Sequence, residues 1–103
     1  MRNSSDFKNR QEWGIVAVFY SALHRVNHLH FKLDPSATDF RSHDEREVYL
    51  KDHLDYAIYL DYRFLFDASI SARYKGRRFN FNDVATCIAK LENIKRAFGN
   101  LLS

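Results

Sequence analysis

A chain of 103 residues in which 46% of the side chains are apolar and 28% are charged has the composition of one globular domain, residues 1–103. This composition excludes collagen-like and disordered chains, and the single cysteine, Cys87, excludes an internal disulfide framework. The 16 basic and 13 acidic residues leave a net charge of +3, which permits a polyanionic partner without requiring one.

The first predicted helix covers about residues 6–31, because its apolar residues recur at helical spacing. One face contains Trp13, Val16, Ala17, Tyr20, Leu23 and Phe31, with His24 and Asn27 among them. A second face contains Ile15, Phe19, Ala22, Val26 and Leu29. A helix that is apolar on two faces is expected to be central in the fold.

Helix two is predicted over about residues 42–54. The segment 33–40 before it contains the only proline and several turn-favouring residues, so the chain is expected to reverse there. Ser42 and Glu45 have the spacing of a capping box, in which the serine hydroxyl accepts a backbone amide proton and the glutamate reaches back.

Helix three is predicted over about residues 56–74 and ends at Lys75 and Gly76. Helix four is predicted to begin near Asn82, because Asn82 followed by Asp83 places a cap and a negative charge at the positive end of the helix dipole. No segment has the alternating pattern of a strand.

Four helices with short connections predict an all-α, up-down four-helix bundle. Alternating directions would bring the end of helix one, the start of helix two, the end of helix three and the start of helix four to one pole. The residues expected at that pole are His24, His28, His30, His43, Arg46, Arg73, Tyr74, Lys75, Arg77 and Arg78.

The location of the protein is predicted from its N-terminus and its longest apolar run. The N-terminal residues are too polar for a signal peptide, and the single cysteine needs no oxidising compartment. The longest apolar run, residues 14–23, is half of the roughly 20 residues that a membrane span needs. A cytoplasmic protein without a membrane partner is therefore expected.

Three short motifs in this order carry a family resemblance: FYSALH at 19–24, SHDER at 42–46 and YRFLFDASISARY at 62–74. Together they resemble a compact branch of the HEPN superfamily, the higher eukaryote and prokaryote nucleotide-binding helical bundles. The resemblance implies a HEPN-like bundle of four or five helices that commonly forms a homodimer. It also implies RNA binding, with metal-independent ribonuclease activity in toxin-antitoxin, antiphage or RNA-processing systems.

The usual catalytic signature of that family is an arginine and a histidine with four to six residues between them, near the start of a late helix. The last helix of this chain contains no histidine. The spacing of this signature does occur before the last helix, from Arg25 to His30 and from Arg46 to His53.

His24, His43 and Arg46 are the candidate catalytic residues. Metal-free RNA cleavage requires a proton to leave the 2′-hydroxyl, and imidazole titrates near neutral pH. Arg46, one helical turn after His43, would then stabilise the phosphorane charge. In the structural alternative, Tyr20, His24, His43 and Arg46 form a buried polar clasp between helices one and two.

A metal site is a further interpretation of the histidines. His24 and His28 are four residues apart, and His43 would add a third ligand. No carboxylate or cysteine lies at a matching step, so neither a metal nor another cofactor is expected.

The candidate RNA-binding residues are Arg73, Tyr74, Lys75, Arg77 and Arg78. Their cations would neutralise phosphates while an aromatic ring stacks on an exposed base. The structural alternative is a solvated basic loop at the negative end of helix three. The tyrosines and phenylalanines of helix three outnumber what one core face buries, which predicts a homodimer interface, with ordinary core packing as the alternative.

Two functions follow as expectations, and the modest net charge favours a third possibility, a structural bundle with no nucleic-acid role. The first is a HEPN-like homodimer that binds RNA and cleaves it without metal. The second is a non-catalytic HEPN-like adaptor that binds a protein partner such as a nucleotidyltransferase, which the family also implies.

Overall fold

Four helices account for most of the chain that the structure describes. The computed structural model describes residues 4–75 and 78–102, with side chains from residue 10 onward. The helices are α1 (Ser4–Leu33), α2 (His43–His53), α3 (Tyr56–Tyr74) and α4 (Phe81–Leu102). No strand occurs in these residues, which confirms the all-α prediction. None of the helices, over the same residues, has the length and apolar character needed to cross a membrane.

The start of α2 follows the predicted cap, whereas the start of α4 does not. Ser42 Oγ accepts the Glu45 N–H at 3.1 Å, and the Glu45 carboxylate accepts the Arg41 N–H at 3.2 Å. At α4 the capping residue is Asn80 instead of the predicted Asn82, because Asn80 and Asp83 exchange two side chain to backbone hydrogen bonds of 2.9 Å. The reciprocal pair satisfies two backbone amides at once, which a cap at residue 82 would not achieve.

The direction of α2 departs from the predicted up-down alternation. The ring of His43 lies 6.3 Å from Phe19, and the ring of Tyr49 lies 4.6 Å from His30, so α2 runs parallel to α1. Residues 34–42 carry the chain back along α1 before α2 begins. The chain reverses, as predicted, at a turn in which the Ala37 N–H donates to the Asp34 carbonyl at 2.9 Å, and the residues after this turn are enough to return alongside α1 before α2 begins.

The long helices α1, α3 and α4 do alternate in direction. Trp13 and Tyr74 line one cavity while Phe19 lies 5.8 Å from Tyr62, so α3 is antiparallel to α1. The start of α4 packs beside the first half of α1, where Gly14 approaches the Val84 side chain. The predicted common pole is therefore wrong, since the end of α3 and the start of α4 lie far from the end of α1.

The core is built on one face of α1. Ile15, Phe19, Ala22, Val26 and Leu29 are at most 2% exposed. The second apolar face that the sequence contains is largely uncovered, because α2 has only 11 residues and covers part of a 30-residue helix. Trp13, at 67% exposure, is the largest side chain left on that face.

Tyr62 packs at the centre of the core with its hydroxyl buried. Its side chain is 1% exposed, and the hydroxyl makes no hydrogen bond to the residues that the structure describes. Burial raises the pKa of Tyr62 to about 12, although the Arg46 charge acts in the opposite direction. The neutral phenol is the form that the fold tolerates.

Tyr62→Phe is expected to make the fold more resistant to alkali. The unfolded tyrosine loses its proton near pH 10, so the raised pKa of Tyr62 gives stability that is complete below pH 10 and lost as the pH rises to about 12. Between those pH values the wild type should lose about 2 kcal/mol more than the variant. Urea denaturation at a series of alkaline pH values measures this, and equal losses in both proteins would refute it.

Candidate anion and nucleic-acid binding site

A cavity of about 330 Å³ lies where α1, the start of α2 and the end of α3 meet. It is lined by Phe19, Tyr20, Leu23, Phe40, Arg41, Ser42, His43, Arg46 and Arg73. Three of the lining residues are arginines and none is acidic. The capped start of α2 positions His43 and Arg46 on one side, and the last turn of α3 positions Arg73 on the other.

Arg46 is the most deeply buried of the three arginines, at 9% exposure. Its Nε donates to Asn27 Oδ1 at 3.3 Å, its Nη1 contacts His43 Nδ1 at 3.1 Å, and its guanidinium lies 5.2 Å from the centre of the Phe40 ring. No carboxylate among the described residues pairs with Arg46. A buried cation held only by neutral groups keeps its charge available to an anion in the cavity.

Glu47, one of the two carboxylates adjacent to Arg46 in sequence, is occupied by another cation. Arg63 Nη1 donates to both oxygens of Glu47, at 2.9 and 2.7 Å, and the Tyr59 hydroxyl donates to Oε1 at 2.8 Å. The charges of these two consecutive residues of α2 are therefore compensated differently. Glu47 is neutralised by Arg63 of α3, whereas Arg46 has no counter-charge among the described residues.

His43 presents an imidazole at the mouth of the cavity, against Phe19 and Phe66. Desolvation, followed by the Arg46 charge, lowers the pKa of His43, with a smaller contribution from Arg73, while Glu47 acts in the opposite direction. The lowered pKa favours the neutral imidazole. Because an arginine cannot accept a hydrogen bond, His43 Nδ1 is the acceptor and the proton is assigned to Nε2.

Arg73 forms the opposite wall together with two tyrosines. Its guanidinium lies 5.7 Å from the centre of the Tyr20 ring and 4.9 Å from that of Tyr74, and its Nη2 donates to the Tyr74 hydroxyl at 2.7 Å. Arg73 is exposed, and Tyr20 is 38% exposed. A cation beside accessible rings suits a ligand that combines a phosphate with an aromatic base.

The structure brings together His43 and Arg46 from the candidate catalytic set, but not His24. His24 is exposed on α1 and does not line the cavity. The predicted polar clasp exists in altered form, with Asn27 in place of Tyr20 and His24 as the contribution of α1. Asn27 lies eight residues beyond Phe19 on the helix, so its amide reaches α2 where His24 does not.

The other histidines lie elsewhere. His30 stacks on Phe40 at 4.3 Å, and His53 stacks on Tyr49 at 4.0 Å. His28 is exposed on α1. Among the described side chains, those of residues 10–75 and 78–102, no three histidine, cysteine or acidic groups come together in a way that would hold a metal ion.

The candidate RNA-binding residues are only partly joined to the cavity. Arg73 lines it, and Tyr74 contacts Arg73. Lys75 and Arg78 are exposed, and Arg77 lies outside the described residues.

Sequence reasoning missed Arg41 and Phe40 as cavity residues. Both precede the cap Ser42 and belong to the connection that runs back along α1, so their place depends on the direction of α2. The one local signal was their position immediately before a capping box.

Comparisons of the chain with protein-family models, with curated proteins and with solved structures find no match in any of the three.

Proposed function

We propose that this chain is a HEPN-like helical module that binds single-stranded RNA and holds one phosphate group in the arginine-lined cavity. The observation that carries the proposal is Arg46, more than nine-tenths buried at that cavity and without a carboxylate partner among the described residues. Proteins rarely retain such a charge without a compensating group, and a phosphate oxygen would supply one.

The surrounding residues support a nucleotide as the ligand. Arg41 and Arg73 add two cations at the cavity, and Tyr20 offers a ring on which a base would stack. His43 would donate its Nε2 proton to a phosphate oxygen, because its Nδ1 is engaged by Arg46.

The same geometry favours binding over cleavage. A general base needs a free lone pair directed at the 2′-hydroxyl, and the accessible nitrogen of neutral His43 carries a proton. An acid–base pair also needs a second titrating group near the phosphate, and His24 lies outside the cavity. The non-catalytic module is therefore the proposed function, and metal-independent cleavage is a result that would overturn it.

Arg46→Met is expected to weaken RNA binding at least about tenfold, because it removes the buried cation while keeping most of the side-chain volume. Fluorescence anisotropy with a labelled oligouridine of about eight nucleotides, in EDTA, measures this effect. The matched control is Arg96→Met, which removes one positive charge from an exposed position on α4 and should change affinity less than about twofold.

Three results would count against the proposal. Equal weakening by both variants would indicate non-specific attraction of RNA to a basic protein. Oligouridine that remains unbound at low salt would remove the RNA site altogether. Cleavage of total RNA in EDTA that is lost in His43→Asn would replace the binding module with a ribonuclease.

A further inference from the structure

A second cavity, of about 450 Å³, adjoins the first between the first half of α1 and the end of α3. It is lined by Glu12, Trp13, Val16, Tyr20, Ala72, Arg73 and Tyr74. Tyr20 and Arg73 line both cavities. A ligand that places a phosphate in the first cavity and extends into the second would therefore contact Arg73.

Aromatic rings dominate the walls of the second cavity. Trp13 is 67% exposed and Tyr74 is 68% exposed, and Tyr20 lies between the two cavities. Exposed rings of this size, next to a cation, form a stacking surface for a planar base. The hydrogen-bonding edge of a stacked base lies in the plane of the base, so polar groups beside the stacking surface would recognise it.

Glu12 supplies a polar group to this second cavity. It is only 8% exposed, and its Oε2 accepts the Phe79 N–H at 2.9 Å, which fixes the orientation of the carboxylate. No arginine or lysine among the described side chains pairs with Glu12. A largely buried carboxylate that holds one backbone amide still has acceptor capacity for donors in the cavity.

We infer that the second cavity binds the base of a nucleotide adjoining the bound phosphate and prefers guanine; this inference rests on the proposed RNA binding. Guanine presents two adjacent donors, N1–H and the N2 amino group, which match the acceptor pair of a carboxylate. Adenine and cytosine present one amino group beside an acceptor nitrogen, and uracil presents one N–H between two carbonyls. Those acceptor atoms would face the negative charge of Glu12.

The test compares labelled oligouridines that carry one central guanine, inosine, adenine or cytosine, measured by anisotropy in EDTA. The guanine oligomer is expected to bind the wild type about tenfold more tightly than all-uridine RNA, in line with one good two-point base contact. Inosine lacks the N2 amino group, so it should lose most of that advantage.

Glu12→Gln is the diagnostic variant. The glutamine oxygen can still accept the Phe79 N–H, while its NH₂ group would face the guanine donors, so the preference for guanine should disappear. Glu92→Gln makes the same charge change at an exposed residue of α4 that pairs with Lys95, and it should keep the preference. Circular dichroism melting curves establish that both variants are folded.

The possible outcomes distinguish failure of the guanine site from failure of the proposed RNA binding. Tight binding of all-uridine RNA with no gain from guanine would overturn the guanine site and leave RNA binding intact. A guanine preference that persists in folded Glu12→Gln would do the same. If that variant does not fold, equal affinities of the wild type for the guanine and inosine oligomers would overturn the inference. Failure of every oligomer to bind would refute the proposed function itself.

Discussion

Replacing Phe19 with alanine is expected to lower the free energy of unfolding by about 3–5 kcal/mol. Phe19 is 2% exposed, and its ring lies 5.8 Å from Tyr62, 5.7 Å from Phe66 and 6.3 Å from His43. One side chain of α1 thus contacts both α2 and α3. Truncation would leave a cavity that rings held on three helices cannot easily fill.

Urea denaturation followed by far-ultraviolet circular dichroism measures the effect of Phe19→Ala. Phe81→Ala is the matched control, because it removes the same atoms from a ring that is 79% exposed, and it should change the free energy by less than about 1 kcal/mol. Similar losses in the two variants would show that Phe19 does not anchor the core. Since Phe19 also lines the arginine-lined cavity, the folded fraction of Phe19→Ala is expected to bind RNA more weakly.

Glu47→Ala is expected to lower the free energy of unfolding by about 2–4 kcal/mol, the second largest of the predicted effects. Glu47 accepts hydrogen bonds from Arg63 and from the Tyr59 hydroxyl, and its side chain is 12% exposed. The variant would leave the buried Tyr59 hydroxyl without its acceptor. Arg63 is 42% exposed and can return to water, which keeps the loss below that of a fully buried ion pair.

Asp67→Ala is the control for Glu47→Ala, because Asp67 pairs with the same Arg63 from the solvent side, at 60% side-chain exposure. Its loss should stay below about 1 kcal/mol. Denaturation curves measure the free energy of unfolding of both variants. Equal losses would mean that burial of Glu47 adds nothing to the interaction with Arg63.

The Glu47 network also determines the charge at the proposed RNA site. With Arg63 bound to Glu47, that carboxylate is not available to Arg46. Stability and the proposed RNA binding therefore depend on neighbouring residues of α2 that face different partners. Glu47 ties α2 to α3, and Arg46 remains as the buried cation that a phosphate would neutralise.

The local sequence of this chain determined its helices. Helical spacing and the scarcity of glycine and proline indicated four helices, and the bounds of α2 and α3 lie close to the observed His43–His53 and Tyr56–Tyr74. Ser42 and Glu45 indicated the start of α2. These features act within one or two helical turns, so the order of residues along the chain is enough to predict them.

Which residues form the site was decided only by the tertiary structure. The spacing of His43 and Arg46 placed them together, but it did not show that Asn27 would complete their contact or that His24 would lie outside. Those outcomes depend on the direction of α2, which follows the nine-residue connection 34–42. A connection of that length permits either direction, and burial of Phe19 and Tyr62 against the neighbouring helices selects one of them. Core packing acts between residues far apart in sequence, and no local pattern encodes it.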